Sequence, residues 1–380
     1  MKTVYFPLIC TLFFSCGGDK TNTDVTQAEA SEADVTNQWL TFQGKGDMPH
    51  IVLISGDEEY RSEEALPQLA KILSIRQGFK CTVLFAQDPA KPGVINPNHL
   101  NNIPGLESLK TADMMIIFTR FRALPDEQMQ YIDDYLKSGK PILGIRTATH
   151  AFSFEEADFE SNWKHYGNFY EGNDEWKGGF GRFILGEKWI SHHGEHRHQS
   201  TRGIPAPGQE NHPILKGIAE GEIWGPTDVY GVRLPLPGDS QPVVLGQVVN
   251  RAGEYDENDP LFGMRATDNE VARMGIADDE NGEEVEINLN DPMMPVAWTK
   301  SYQLQGGKPG KVFATTIGAS TDLLSEGVRR MLVNGVFWCM GLTVPEKANV
   351  DLVGTYEPTS YAFLEESYWL ERNLKVSDLR

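Results

Sequence analysis

Between residues 50 and 145 the chain alternates between two hydrophobic rhythms. HIVLISG (50–56) is apolar almost throughout and predicts a buried strand, whereas the stretch from Ser62 to Gly78 sets Leu66, Leu69, Ile72 and Leu73 on one helical face, with Ser62 as its cap and Gly78 as its stop. The alternation then repeats. FKCTVLFAQ and ADMMIIFTR predict a second and third strand. PDEQMQYIDDYLKSGK predicts a helix with Pro125 at its start, Met129, Ile132 and Leu136 facing inward and Gly139 at its end, and PILGI predicts a fourth strand. Strands that are apolar on both faces and alternate with amphipathic helices need a mainly parallel sheet covered on both sides. The expected fold class is therefore α/β, doubly wound and flavodoxin-like.

The second half is less regular. PVVLGQVV, MPVAWTK and KVFATTIGA read as further strands, and residues 320–342 as one long helix with Leu324, Val328, Leu332 and Val336 on one face. Glu254–Pro292 is an acidic insertion, and its segment ADDENGEEVE lacks the full alternation of oxygen ligands that a calcium loop needs. No internal repeat is visible.

The first 16 residues follow a different logic. Lys2, an apolar run from Val4 to Phe14 and a small residue before Cys16 form a bacterial lipoprotein-type signal, which predicts cleavage before Cys16 and a lipid on its sulfur. This implies export to the cell envelope or periplasm, with a membrane anchor. Residues 17–43 are too polar to pack and read as a flexible tether, 44–345 as the folded domain, and 346–380 as a tail of mixed polar and aromatic character. Once the signal is removed, Cys81 and Cys339 remain besides the lipid-bearing Cys16, both in apolar runs that suit buried thiols better than a disulfide. The net charge of −20, with no basic stripe, argues against nucleic acid as a partner.

In an open α/β sheet ligands bind beyond the carboxyl ends of the strands, and here those ends are strongly polar. Asp57, Glu58, Glu59, Tyr60 and Arg61 follow the first strand, Arg120 and Arg122 the third, and Arg146, Thr147 and His150 the fourth. Arg120, Arg122 and Arg146, at the ends of the third and fourth strands, suit an anionic or polyhydroxylated small molecule. A second cluster, WISHHGEHRH, brings His192, His193, His196 and His198 together in sequence. Two uses stay open for it. One is a divalent transition metal held by His150, His192, His193 and His196, although no standard ligand spacing is present. The other is acid–base catalysis by His150 and His193 with Glu58 or Glu59. If the crossover carrying these histidines passes over the carboxyl edge of the sheet, both polar clusters share one cleft.

The ordered segments HIVLISGDEEYR, FTRF, KPILGIRTATHAF, SHHGEH, HPILKGI, GPTDVYGV, DPMMPVAWTK and GKVFATTIGASTDLLSEGVRRMLVNGVFW are together similar to the ThuA-like (trehalose utilisation) family, particularly its secreted bacterial branch, over residues 48–345. The resemblance implies a class I glutamine amidotransferase-like fold. It also implies a carbohydrate partner, in the catabolism of disaccharides or other glycosides, including 3-keto sugars. His212, Pro213, Asp228 and Tyr230 match the family's HP and acidic-x-Tyr segments, which adds Asp228 and Tyr230 to the substrate-binding candidates, whereas IGAST lacks the histidine often found after that glycine. Where amidotransferases carry a nucleophilic cysteine this chain has Arg146, so thiol-based glutamine hydrolysis is excluded; Thr147 beside it lacks the flanking glycines and the base of a hydroxyl nucleophile. Two classes remain. One is a carbohydrate-active lyase, isomerase or hydrolase. The other is a non-catalytic sugar-binding lipoprotein, with Trp163, Trp176, Trp189 or Trp224 stacking on sugar faces.

Overall fold

The computed structural model describes residues 37–155, 157, 159–278 and 283–380. The strands, in chain order, are β1 (Trp39–Phe42), β2 (His50–Gly56), β3 (Lys80–Phe85), β4 (Met114–Thr119), β5 (Ile142–Ile145), β6 (Ser191–His192), β7 (Gln199–Pro205), β8 (Trp224–Gly225) and β9 (Tyr230–Gly231). They continue with β10 (Gln241–Asn250), β11 (Glu270–Val271), β12 (Met274–Asp278), β13 (Glu284–Asn288), β14 (Met294–Tyr302) and β15 (Gly310–Thr315). The α-helices are α1 (Ser62–Lys71), α2 (Asp126–Lys137), α3 (Glu326–Cys339) and α4 (Glu366–Arg372).

An 11-stranded sheet runs β1-β3-β2-β4-β5-β15-β14-β10-β7-β8, with β11 paired to β10. Its parallel part, β3-β2-β4-β5-β15, is the doubly wound unit that the apolar strands predict. The strands of the second half extend it in antiparallel fashion through β14, β10 and β7, and β1 closes the opposite edge, also antiparallel. Successive residues of a strand face opposite sides, and the core divides accordingly. Ile51 and Leu53 of β2 belong to one layer with α1 and α3, while Val52 and Ile54 belong to the other with α2.

Two helix predictions need correction. Ser62 does not cap α1: that position is Arg61 in the left-handed region (φ 60°), and the Ser62 hydroxyl instead meets Ser55 Oγ at 2.8 Å and the Asp57 amide at 3.0 Å. The helix expected over 320–342 is broken. Residues Thr321–Leu324 form a 3-10 turn, and Ser325 then caps α3 by accepting from the Val328 amide. Buried Asp322 imposes the break, because its carboxylate accepts from the Gly318 and Ala319 amides and from Thr227 Oγ1, and Leu324 is left exposed rather than facing the core. The acidic segment set against a calcium loop includes the end of β12 and the start of β13, which pair antiparallel, and residues 279–282 of it lie outside the described residues. Cys81 and Cys339 are free, buried thiols.

Candidate active site

The floor of the site is the corner after β5. Arg146 adopts φ 47°, a left-handed conformation that a bulky side chain tolerates only where its surroundings hold it there. The crossover packs directly on this corner. A Cβ at Gly181 would come within 1.8 Å of the Thr149 carbonyl oxygen, so that position needs glycine to let the segments meet, and one at Gly144 would press on Leu185 Cδ1 at 2.7 Å. The Arg146 guanidinium is fully buried, donates to the carbonyls of Asp228 (2.8 Å) and Thr316 (2.6 Å), and bonds Asp228 Oδ1 at 3.0 Å. It lies 3.8 Å from the ring centroid of Tyr230 and 4.3 Å from that of Tyr60, a desolvated cation between two aromatic faces.

Above the floor, the short β6–β9 pairing sets His192 opposite Tyr230, two residues beyond Asp228. His192 Nδ1 lies 2.7 Å from Asp228 Oδ2, and His196 Nδ1, from the turn that leads into β7, lies 3.1 Å from Asp228 Oδ1. Burial alone would raise the Asp228 pKa, but Arg146 and the two imidazoles hold it well below the usual carboxylate range. An ionised carboxylate only accepts, so both Nδ1 atoms carry the proton and each ring turns its Nε2 away from Asp228. The two histidines then diverge. Burial opposes charge on His192, yet the Asp228 carboxylate outweighs it and raises the pKa; on His196 burial prevails and the pKa is lowered. One aspartate thus holds an acid and a base side by side, with ring centroids 4.9 Å apart.

Glu59 completes the cluster. Its Oε1 is 3.6 Å from His196 Nε2 and its Oε2 3.7 Å from Arg120 Nε. Burial, reinforced by the neighbouring Asp57 charge, pushes its pKa up to about 7. A carboxyl tuned to neutral pH beside a partly exposed guanidinium and two oriented imidazoles is a proton-transfer arrangement.

The family follows from the chain as a whole. A family model described as ThuA, trehalose utilisation, matches residues 50–339. The chain belongs to the ThuA family. Among solved structures it is similar to a ThuA-like protein from Parabacteroides merdae (13% identity, covering 83% of this chain and 98% of that one, TM-score 0.42). It is also similar to a ThuA-like protein from Bacteroides uniformis (14% identity, 78% and 93% covered, TM-score 0.36) and to a cytoplasmic protein from Salmonella typhimurium (12% identity, 76% and 98% covered, TM-score 0.32). No curated protein matches it. The trehalose-utilisation family links the chain to carbohydrate-related function.

In this ThuA-family site the predicted residues divide into those that face the cleft and those that build it. The side chains of Arg120, His192 and His196 keep 21%, 40% and 27% of their surface exposed and Glu59 lies just behind them, whereas Tyr230 and Asp228 are buried beneath. Glu58, expected as an acid or base, instead spends its two oxygens on Arg120 and Arg122. Arg122 and Arg61, expected to hold substrate, are fully buried and tie down backbone: Arg122 donates to the carbonyls of Pro97 and Arg120, each at 2.7 Å, and Arg61 to that of Ala362 at 2.6 Å. Asp57 closes the turn after β2, accepting from the Glu59 amide at 2.7 Å and from the Thr147 hydroxyl, which takes both residues out of direct ligand contact. Tyr60 is buried under Arg146.

His150 is also sunk beneath the cleft. Its ring centroid lies 5.0 Å from that of Phe121 and 5.4 Å from that of Trp189, and burial, with Arg120 and Arg146 nearby, holds its pKa well below the ordinary value. His193 turns the other way, its Nε2 2.9 Å from the Leu289 carbonyl, so the four-histidine metal set does not assemble. The compact metal-capable group among the described residues is His192, His196 and Asp228, with ligand atoms within 4.8 Å of one another. Asp228 is already committed to Arg146 and both imidazoles, so the outward-facing ligand atoms are the two imidazole Nε2 atoms and the Glu59 carboxylate, whose Oε1 is 3.6 Å from His196 Nε2. Of the four tryptophans, Trp176 and Trp224 are core residues, Trp163 packs on His165 and Tyr166, and Trp189 stands at the site with its ring centroid 5.9 Å from that of His192.

The wall supplied by the C-terminal segment leaves no mark in the sequence. The Ala362 amide donates to the Glu59 carbonyl at 3.0 Å, Tyr361 packs 5.0 Å from the His196 ring, and Phe363, 56% exposed, lies 4.7 Å from the Arg120 guanidinium.

Proposed function

We propose that the protein is a carbohydrate-active enzyme of glycoside or disaccharide catabolism that works by proton transfer on an oxidised, 3-keto sugar. The observation that carries this reading is the pair of imidazoles oriented by one ionised carboxylate, facing a carboxyl whose pKa is about 7. A two-carboxylate glycosidase needs two free acids across the scissile bond; Glu58 is held by two arginines, so Glu59 is the free carboxyl beside the imidazoles. Elimination suits the cluster better. Glu59 or neutral His196 takes the proton from the carbon between the ketone and the glycosidic carbon, and the electron pair moves toward the ketone oxygen, where Arg120 stabilises the developing enolate. The pair then returns to form the carbon–carbon double bond as the glycosidic C–O bond breaks, and protonated His192 gives its Nε2 proton to the departing oxygen.

The test is turnover of 3-keto-glycosides and of their unoxidised parents, with and without a chelator. Release of the leaving alcohol from the keto form alone, insensitive to chelation and lost in His192→Ala, is expected. Release from the parent alone would replace this reading with hydrolysis, and binding of both without turnover would make the protein a sugar-binding lipoprotein.

Cys16 lies outside the described residues, among which no helix is long and apolar enough to cross a membrane. We propose that a lipid on Cys16 anchors the domain to the bacterial envelope, as the signal-like first 16 residues suggest. Cys16→Ser should then release the protein from washed membranes, and continued membrane association of that variant would refute the anchor.

A further inference from the structure

A cavity of about 500 Å³ opens beside the cluster, lined by Asn98, Asn101, Ser153, Phe121 and Phe169 among others. It falls within the size range of small-molecule pockets. Phe121 is the partition between cavity and cluster. On one side its ring lies 5.0 Å from that of His150 and 4.7 Å from the Arg120 guanidinium, and on the other it stacks on Phe169, with centroids 5.6 Å apart and planes at 29°. Phe121 adopts φ 46°, a conformation that phenylalanine does not choose freely, and its amide is held by the His150 carbonyl at 2.9 Å.

The walls are fixed by the same network that holds the cluster. Arg122, paired with Glu58, donates to the carbonyls of Pro97 (2.7 Å) and His99 (3.3 Å), and Asn98 Nδ2 donates to that of Leu364 at 2.9 Å. Phe169 is 43% exposed and also borders a second hollow of about 320 Å³. A half-open aromatic face beside amide and hydroxyl side chains, on a preformed wall shared with a proton-transfer cluster, is chemistry for a ring with one apolar face and polar edges.

We infer that this cavity is the subsite for the second ring of the substrate, the group carried beyond the bond that the cluster breaks. The inference rests on the proposed function. The ring lays its C–H or aryl face on Phe169 and turns its polar edge toward Asn98, Asn101 and Ser153. Exposed Glu155 at the rim disfavours an anionic ring, so the second ring is neutral: a second sugar or an aryl group.

Calorimetric binding of three probes to the full chain tests this: a methyl glucoside, trehalose and a 4-nitrophenyl glucoside. At least one two-ring probe should bind about tenfold more tightly than the methyl glucoside, the scale of one good aromatic contact. Phe169→Ala should remove that advantage without changing methyl glucoside binding, and Phe169→Trp, which keeps the face, should retain it. An advantage confined to trehalose identifies a sugar ring, and one confined to the nitrophenyl compound an aryl ring. Equal affinity for all three probes, or an advantage that survives Phe169→Ala, overturns the subsite and leaves the proposed function standing. Binding of none of the three overturns the subsite, and the turnover test with 3-keto-glycosides decides the proposed function separately.

Discussion

Asp228→Asn should abolish turnover and destabilise the fold by about 3–5 kcal/mol, the scale on which breaking a buried ion pair leaves a charge uncompensated. Arg146 is that charge. It is fully buried, and Asp228 is the carboxylate that bonds it. Asparagine keeps the shape but loses the charge, and its amide cannot accept on both sides from Arg146 and two imidazole N–H groups. The catalytic loss has a separate origin: His192 loses the charge that raises its pKa, and both rings lose their orientation. A drop in kcat of about 10²–10⁴ is expected, together with a downward shift of the His192 titration by NMR. The stability term has a defined pH window. Because the folded Asp228 pKa is depressed, its contribution is fully present above the ordinary aspartate value and is lost only as pH falls through the lower folded value. Urea denaturation of wild type and variant at pH 7 and in acid measures both. Unchanged stability at pH 7 would mean that Arg146 has another counter-charge.

Glu59→Gln should lose a comparable factor in kcat with the opposite effect on stability. The folded Glu59 pKa is raised to about 7, so between the ordinary glutamate value and pH 7 the native state holds a proton that the unfolded chain has released. Stability conferred by that proton is present in acid and lost as pH rises through 7. Glutamine removes the penalty, and above pH 7 the variant should be more stable than wild type by a few kcal/mol at most. Its stability should also depend less steeply on pH from about 5 to 7. Buried Glu63, likewise raised to about 7, keeps part of the slope in both proteins and serves as an internal control. A variant that is less stable than wild type at pH 8 would show that Glu59 is a structural ion-pair partner of Arg120 rather than a tuned acid.

The parallel half of the fold was readable because each of its strands is apolar on both faces and each helix has one apolar stripe. Only buried parallel pairing satisfies both patterns at once. Within the antiparallel extension β10 and β14 were legible as strands, but not β7, and not the edge-on continuation of the same sheet, since pairing partners far apart in sequence leave no local mark. The helix over 320–342 failed on one residue, Asp322, whose ties to Gly318, Ala319 and Thr227 override a good helical pattern.

Sequence shows which side chains reach the carboxyl edge, not how deep each one sits. Arg61, Arg122 and Arg146 are buried in the scaffold, while Arg120, which is 21% exposed at the side chain, reaches the cleft. The inequivalence of the two adjacent histidines has a cause that the sequence does contain. Adjacent residues of an extended segment face opposite ways, so His192 and His193 were never equivalent, and once His192 faces Asp228, His193 must turn toward the β13–β14 connection and Leu289. His196 returns to the His192 side through the turn. The contribution of Tyr361 and Phe363 carried no signal, because tertiary packing alone brings the C-terminal segment back over the loop after β2.

The central claim is that Glu59, His192 and His196 move a proton at a sugar carbon. Its most direct test is turnover of a 3-keto-glucoside in D2O, followed by NMR of the carbon between the ketone and the glycosidic centre. The account predicts loss of that protium from substrate or product, at a rate that falls at least a hundredfold, on the order of one lost general acid–base group, in Glu59→Gln and His192→Ala. Complete retention of the protium at that carbon while the substrate is consumed would contradict it.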